Sequence, residues 1–335
     1  MSAVLDLRSR PVAAPAPSAP DLAFARDVME GLARSRKSIP CTWLYDHLGS
    51  ALFERITEVA EYYPTRAETM LLEHCAAEIA CAAGPGVTVV ELGSGSSRKT
   101  PLLLQALDRP AGYVPIDISA QFLAESLPPM RARFPALPIT PVVADFTQLT
   151  QLPRTKAKGG RRLVFFPGST IGNFTPDAAM ALLTRMARAA GPNALLVVGA
   201  DATQDPAVLI PAYDDSQGVT DAFNKNLLAR INRELDANFS LTAFKHDARW
   251  NAFEQRVEMH LVSRYTQSVA VLGRPVHFAM GESIHTENAY KHGLLRFRSM
   301  AARSGWEQTQ LWTGGQSRYA VHVFESAGTA SMRSM

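Results

Sequence analysis

At ~150 residues per domain, 335 residues suffice for about two domains, or for one large domain carrying an insertion. Hydrophobic residues make up 47% and charged residues 19% of the chain, a balance that excludes wholesale disorder. Thirty-four Lys and Arg against 31 Asp and Glu leave a formal net charge of +3 without long runs. The footprint of a nucleic-acid binder is absent, and a small soluble partner is expected instead. Cys41, Cys75 and Cys81 form no CxxC pair, which suits a reducing, cytoplasmic compartment better than a disulfide scaffold or a zinc site. No stretch reaches the ~18 apolar residues of a membrane span. Met1 to Pro20, rich in Ala and Pro but broken by Asp6, Arg8 and Arg10, lacks the apolar region of a secretory signal and is expected to be a disordered tail.

In chain order, Asp21 to Arg36 has helical spacing through Leu22, Phe24, Val28 and Leu32. A second helix is expected from about Gly49 to Val59. It stops at Glu61-Tyr62-Tyr63-Pro64, where the proline biases Tyr63 away from helical geometry. Thr65-Arg66-Ala67-Glu68 has the capping-box spacing and predicts a third helix running to about Ala83. Beyond Gly84-Pro85-Gly86 the rhythm changes to short apolar runs alternating with helical stretches. Strands are expected at Val87 to Leu92, Tyr113 to Ile116, Ile139 to Val143, Arg162 to Phe166 and Ala194 to Gly199. Helices are expected at Lys99 to Leu107, Gln121 to Phe134 and Asp177 to Ala190. Alternating units of this length predict an α/β fold with a parallel sheet covered on both faces, and a ligand beyond the carboxyl ends of the strands.

From about Thr203 to Arg298 that rhythm breaks. A long helix through Phe223 to Leu235 precedes strands such as Gln255 to Leu261 and Ser268 to Leu272. This reads as an inserted α+β substrate-binding domain, made of residues 204–298 together with 21–65. Residues 66–203 and 299–330 would form the cofactor-binding domain. A last pair, Trp306 to Trp312 and Ser317 to Val323, is expected to rejoin the sheet as antiparallel strands.

Val89-Val90-Glu91-Leu92-Gly93-Ser94-Gly95 puts a strand directly before a glycine-rich turn, where backbone can approach a ligand closely. A dinucleotide site would want a third glycine at the position of Arg98. S-adenosylmethionine (SAM) needs only the first turn, because an amino-acid tail stands where NAD has a pyrophosphate. Asp117 ends the second strand, where an acid accepts from ribose hydroxyls in NAD and SAM sites alike. Asp145 and Phe146 end the third, suited to an adenine amino group and ring face. Each acid alone reads as a cap or loop residue. At three successive strand ends they point to a nucleoside.

These residues carry a resemblance. The chain resembles the histidine-specific SAM-dependent methyltransferases that form Nα-trimethylhistidine (hercynine) in ergothioneine biosynthesis. The likeness runs over roughly residues 25–325 and rests on motifs in order: Trp43-Leu44-Tyr45-Asp46, Glu61 to Arg66, Glu91 to Gly95, Gly168-Ser169-Thr170-Ile171-Gly172-Asn173, Ala212 to Asp215, Phe223-Asn224, Asn232 to Leu235 and Thr286-Glu287-Asn288. It implies a class I SAM-methyltransferase sheet of Rossmann-like form. It also implies that Gly93, Lys99, Asp117, Asp145 and Phe146 hold the cofactor. Tyr62, Asn173 and Tyr213 would grip the α-carboxylate and α-amino group of a free amino acid, with Gly168 and Thr170 beside them. Tyr45 would sit near the amine and act with Asn173 in catalysis, while Met259 and Glu287 would line the side-chain pocket. The family commonly has Ser two residues after that Glu, and Ala289 stands here. Tryptophan or tyrosine is therefore the alternative substrate, and an NAD-dependent oxidoreductase the alternative class.

Direct displacement at a sulfonium methyl needs no metal. His246, His260, His285 and His292 show no HxxxH or HxH spacing and are read as surface or core residues. The expected partner is a small amino acid, without nucleic acid or membrane, and the expected state is a monomer.

Overall fold

Asp21 starts the first helix, α1 (Leu22–Ala33), by accepting from the amides of Ala23 and Phe24. The computed structural model describes residues 21–152, 160–314 and 318–327, so the expected tail lies outside the described residues. A 3-10 turn at Cys41–Leu44 leads into α2 (His47–Ile56), capped by Asp46 on the Gly49 amide. The next helix, α3 (Tyr63–Ala83), corrects the expected capping box. It begins two residues before Thr65, with Pro64 in its first turn and no side-chain cap at Tyr62. Proline suits that turn because its missing N–H has no helical partner to lose. Glu68, freed from capping, turns inward to accept from the Gly168 amide and to pair with Lys99.

The alternating half follows as β1 (Thr88–Leu92), α4 (Thr100–Ala106), β2 (Gly112–Asp117), α5 (Ala120–Arg133), β3 (Val142–Val143), β4 (Arg162–Phe166), α6 (Pro176–Ala190) and β5 (Leu195–Asp201). Only the third strand is much shorter than expected. Ile139 makes a lone bridge to Tyr113, because Pro138 and Pro141 on either side lack the N–H groups that a ladder needs.

The segment after β5 holds more structure than its sequence pattern announces. Helices α7 (Pro206–Tyr213) and α8 (Val219–Glu234) precede β6 (Phe244–Asn251), β7 (Arg256–Ser263), β8 (Gln267–Val271), β9 (Arg274–Phe278) and β10 (Ser283–Tyr290). β6, β7 and β10 make an antiparallel sheet in the order β10-β7-β6, and β8 pairs with β9. The chain returns through α9 (Leu294–Arg303), β11 (Trp306–Gly314) and β12 (Tyr319–Ser326). The break expected at residue 298 falls inside α9, whose Phe297, Met300 and Ala301 pack on the large sheet.

That sheet has seven strands in the order β11-β12-β5-β4-β1-β2-β3. β1 to β5 are mutually parallel where they pair, and β12 runs antiparallel to both of its neighbours, as the last two expected strands require. Residues of β1 and β5 are buried along their whole lengths, as a sheet covered on both faces demands. A separate core unites Phe24 to Tyr62 with Ala212 to Ile284. The two early helices therefore pack with α8 and the small sheet rather than with the strands that follow them.

Gly199, within β5, marks where α3 meets the large sheet. A Cβ there would lie 1.7 Å from Glu68 Oε1 and 2.6 Å from the Tyr319 hydroxyl. Glu68 has no room to yield, being tied to Gly168 and Lys99. Gly199→Ala is expected to cost about 1–3 kcal/mol by overpacking, read as a fall of several degrees in the thermal midpoint followed by circular dichroism.

Candidate active site

The carboxyl ends of β1, β2, β3 and β4 open on a cavity of about 530 Å³, closed on its other side by residues of α2, α8, β7 and β10. All thirteen residues singled out from the sequence line it: Tyr45, Tyr62, Gly93, Lys99, Asp117, Asp145, Phe146, Gly168, Thr170, Asn173, Tyr213, Met259 and Glu287. They come from the strand ends of the large sheet and from the helices, turns and small sheet that face them, so only the assembled fold brings them together.

On the large-sheet side, Gly93 has φ +65°, and its amide and that of Ser94 both donate to the carbonyl of Ile116. The position a Cβ would take at Gly93 is 3.5 Å from the Phe146 ring, so this bare backbone and that ring bound one slot. Asp117 braces the glycine turn by accepting from the Gly95 amide at 2.9 Å, and its other oxygen accepts from Ser119 at 2.9 Å. Asp145 accepts from the Thr147 amide and hydroxyl, and Phe146 is wedged beside Phe166 and Phe174. The buried Ser94 hydroxyl has no partner among the described residues and borders the cavity. Two carboxylates, an aromatic face, an unpaired hydroxyl and the Lys99 ammonium form a donor and acceptor set that fits an adenosine carrying an amino-acid tail. Beneath them Glu91, bonded to Thr100 and Tyr113, is pushed up to about 7 by burial.

Uncharged groups dominate the other side. Glu287 is buried, and its Oε1 accepts from the Tyr45 hydroxyl at 3.1 Å and from Asn173 Nδ2 at 3.2 Å. Burial pushes its carboxyl up to about 7, against the opposite pull of the Tyr45 hydrogen bond and the Lys291 charge. The expectation for an isolated Glu, a solvated surface acid, does not describe it. Asn173 lies in a 3-10 turn (Thr170–Asn173) entered through Ser169 at φ +56°, a left-handed conformation of the kind that gathers at functional sites. Gly168 turns its amide to Glu68, and the Thr170 hydroxyl closes the same loop on the Pro167 carbonyl. Met259 faces Glu287 across the β7–β10 ladder.

The Tyr62 ring lies 6.2 Å from both Phe53 and Tyr213, and Tyr45 lies 5.4 Å from Phe223. Burial holds the hydroxyls of Tyr45, Tyr62 and Tyr213 well above the ordinary tyrosine range, so all three are phenols. Ala289 packs with Leu209 and Val257 in a small apolar cluster beside Tyr213.

His246 is buried between Asn224 and the Tyr213 carbonyl, and His260 bonds to Ser283 and Glu258. His292 stacks on Tyr290. His285 departs from its expected place, because it lines the cavity, held by Ser38 and Asn288. The residues that sequence patterning missed are the supports: Glu68, Asp201 and Lys291. An acid closing the otherwise apolar run Leu195 to Ala200 was the one available signal for Asp201, and Lys291 carried none.

The model of the family described as histidine-specific methyltransferase, SAM-dependent, matches residues 24–326. The chain is 43% identical over 297 residues to a histidine N-alpha-methyltransferase of Mycolicibacterium smegmatis, covering 87% of this chain and 91% of that one. Identity to a histidine N-alpha-methyltransferase of Mycobacterium tuberculosis is also 43%, with the same coverage. Ergothioneine biosynthesis protein 1 of Neurospora crassa is 30% identical over 86% of this chain, which spans 33% of that longer protein. The match over nearly the whole described length and the cavity built at the strand ends agree: the chain belongs to the family of histidine-specific, SAM-dependent methyltransferases.

Proposed function

We propose that the protein methylates the α-nitrogen of L-histidine three times, forming Nα,Nα,Nα-trimethylhistidine for ergothioneine biosynthesis. The observation that carries the substrate is Glu287, a buried carboxylate held by two uncharged donors on the wall facing the nucleoside side. An imidazole N–H is the complement such a carboxylate lacks. Indole offers one N–H as well, but it has no second nitrogen to reward a polar wall.

Asp117 would take the ribose hydroxyls, and Asp145 with Phe146 the adenine. Gly93 would give room for close approach, and Lys99 would meet the amino-acid end of the cofactor. Tyr62, Tyr213 and Asn173, with Gly168 and Thr170 alongside, would hold the α-carboxylate and amine. Met259 and Glu287 would bound the side chain. In this reading residues 21–65 with 204–298 serve the substrate and 66–203 with 299–330 the cofactor. In the same reading the enzyme acts as a cytoplasmic monomer.

When bound, SAM supplies a methyl carbon activated by a positive sulfur. The residues of this chain do the rest by placement, which alone is worth ~7–11 kcal/mol when two reactants are held in line. The substrate amine, more basic than the ~8 of a peptide α-amino group because a carboxylate stands beside it, must be neutral to attack. Desolvation against the tyrosine rings lowers its pKa. Tyr45 and Asn173 orient the lone pair while its proton leaves to water, and neither adds a charge. The Tyr45 phenol stays protonated because burial and the Glu287 carboxylate oppose its ionisation. As methyl groups accumulate, the faces of Tyr45, Tyr62 and Tyr213 stabilise the quaternary cation by ~0.5–2 kcal/mol.

Incubation with SAM and L-histidine is expected to yield products carrying one, two and then three methyl groups by mass spectrometry. No methylated histidine would exclude this substrate. Glu287→Ala is expected to weaken histidine binding about ten- to hundredfold, the loss of one charge-assisted hydrogen bond, while SAM binding stays unchanged in calorimetry. The pH dependence follows from the raised carboxyl. Only ionised Glu287 accepts from imidazole without spending its own proton, so histidine affinity rises as pH passes through about 7. In Glu287→Gln that step is expected to vanish.

A further inference from the structure

Behind Tyr213 lies an ion pair that the roles above leave unused. Lys291 follows the end of β10, Asp201 ends β5, and their Nζ and Oδ2 atoms are 2.8 Å apart with side chains 1% and 0% exposed. The carboxylate is fully engaged. Oδ2 also accepts from the Tyr63 hydroxyl at 2.5 Å, and Oδ1 accepts from the Thr203 amide at 3.0 Å. Two buried charges carry a desolvation cost that a well-packed apolar pair avoids, so packing alone is a poor reason for them.

The pair reaches the cavity through one atom. Lys291 Nζ lies 2.8 Å from the Tyr213 hydroxyl oxygen and 4.8 Å from the centre of that ring. An ammonium has three donors and no acceptor, so the phenol oxygen must accept and its own proton must point elsewhere. Among the described residues the Tyr213 hydroxyl has no other hydrogen-bond partner, and Tyr213 lines the cavity. Burial, with the charges of Asp201 and Glu287, keeps that hydroxyl protonated.

We infer that Lys291, held by Asp201, is a positioning residue that commits the Tyr213 hydroxyl to donate toward a carboxylate in the cavity. The inference rests on the amino-acid reading above and deepens it: the site selects amines that carry a neighbouring carboxylate over amines that lack one. The ammonium polarises the hydroxyl and strengthens its donation. Asp201 balances the ammonium, so the pair brings a strong donor to the cavity with no added net charge, although the Lys291 end still acts on Glu287.

The test is a titration calorimetry cycle on protein saturated with S-adenosylhomocysteine. L-histidine is compared with histamine, which has the same imidazole and amine but no carboxylate. The proteins are wild type, Lys291→Met with Asp201→Asn, Tyr213→Phe, and the triple variant; the paired substitution leaves neither charge buried alone. Histidine is expected to bind about tenfold or more weakly to the paired variant and to Tyr213→Phe, and the triple variant to be no weaker than Tyr213→Phe. Histamine and S-adenosylhomocysteine affinities should stay within about twofold. Undiminished histidine binding overturns the inference, as do losses that multiply in the triple variant or that histamine shares. Lys291→Gln, which keeps an N–H donor for the phenol oxygen, is expected to bind histidine more tightly than Tyr213→Phe does and carries the test if the paired variant fails to fold; a loss as large as that of Tyr213→Phe overturns the inference. Wild-type protein that binds no histidine would instead refute the functional reading beneath it.

Discussion

Glu287 is the point at which the molecule becomes one machine. Its carboxylate, on β10 of the small sheet, is met by Tyr45 from the segment before α2 and by Asn173 from the turn after β4 of the large sheet. A buried carboxylate tolerates its position only when donors reach it, and here the acid and its two donors belong to three stretches of chain far apart in sequence. The acid therefore links the two walls of the cleft and sets the polarity between them. Both donors are uncharged, which leaves the acid free to be claimed by a ligand.

Other buried acids repeat that arrangement around the cavity. Glu68 joins α3 to the loop after β4 through the Gly168 amide and to the loop after β1 through Lys99. Glu91 draws together Thr100 and Tyr113 under the glycine turn. Asp201 gathers Tyr63, Thr203 and Lys291. Each acid exchanges hydration for specific partners, and in low dielectric those bonds are strong while a missing one is costly. The catalytic requirement agrees with this economy of charge. A neutral amine must meet a cationic sulfur, so the surrounding side chains do best by presenting paired charges, hydroxyls and amides.

The inserted segment supplies the wall of the cavity that faces the strand ends. Helices α1 and α2 join α8 and the small sheet in one core, so Tyr45 and Tyr62 pack with that core rather than with the large sheet. Met259 and Tyr213 pack in or against that core and Glu287 pairs with Met259 across the ladder, while Gly93, Asp117 and Asp145 stand at the ends of parallel strands. Ala289, two residues from Glu287, contributes apolar packing beside Tyr213.

Local patterning decided much of this. Apolar runs broken by Gly and Pro identified four of the five parallel strands nearly to the residue, and Pro138 and Pro141 explain the short third one, since a strand without N–H groups cannot extend its ladder. Gly93, Asp117, Asp145 and Phe146 were legible as residues of the cavity because they stand at or just beyond strand ends. Glu68 was misread because a spacing of three residues cannot distinguish a cap from an inward-facing acid. Lys291 and Asp201 were invisible as a pair, being 90 positions apart and meaningful only to each other. Sequence alone determines what periodicity and turn chemistry specify over a few residues. Tertiary structure decides which buried charge finds which partner, because desolvation is set by neighbours that the chain brings together only once folded.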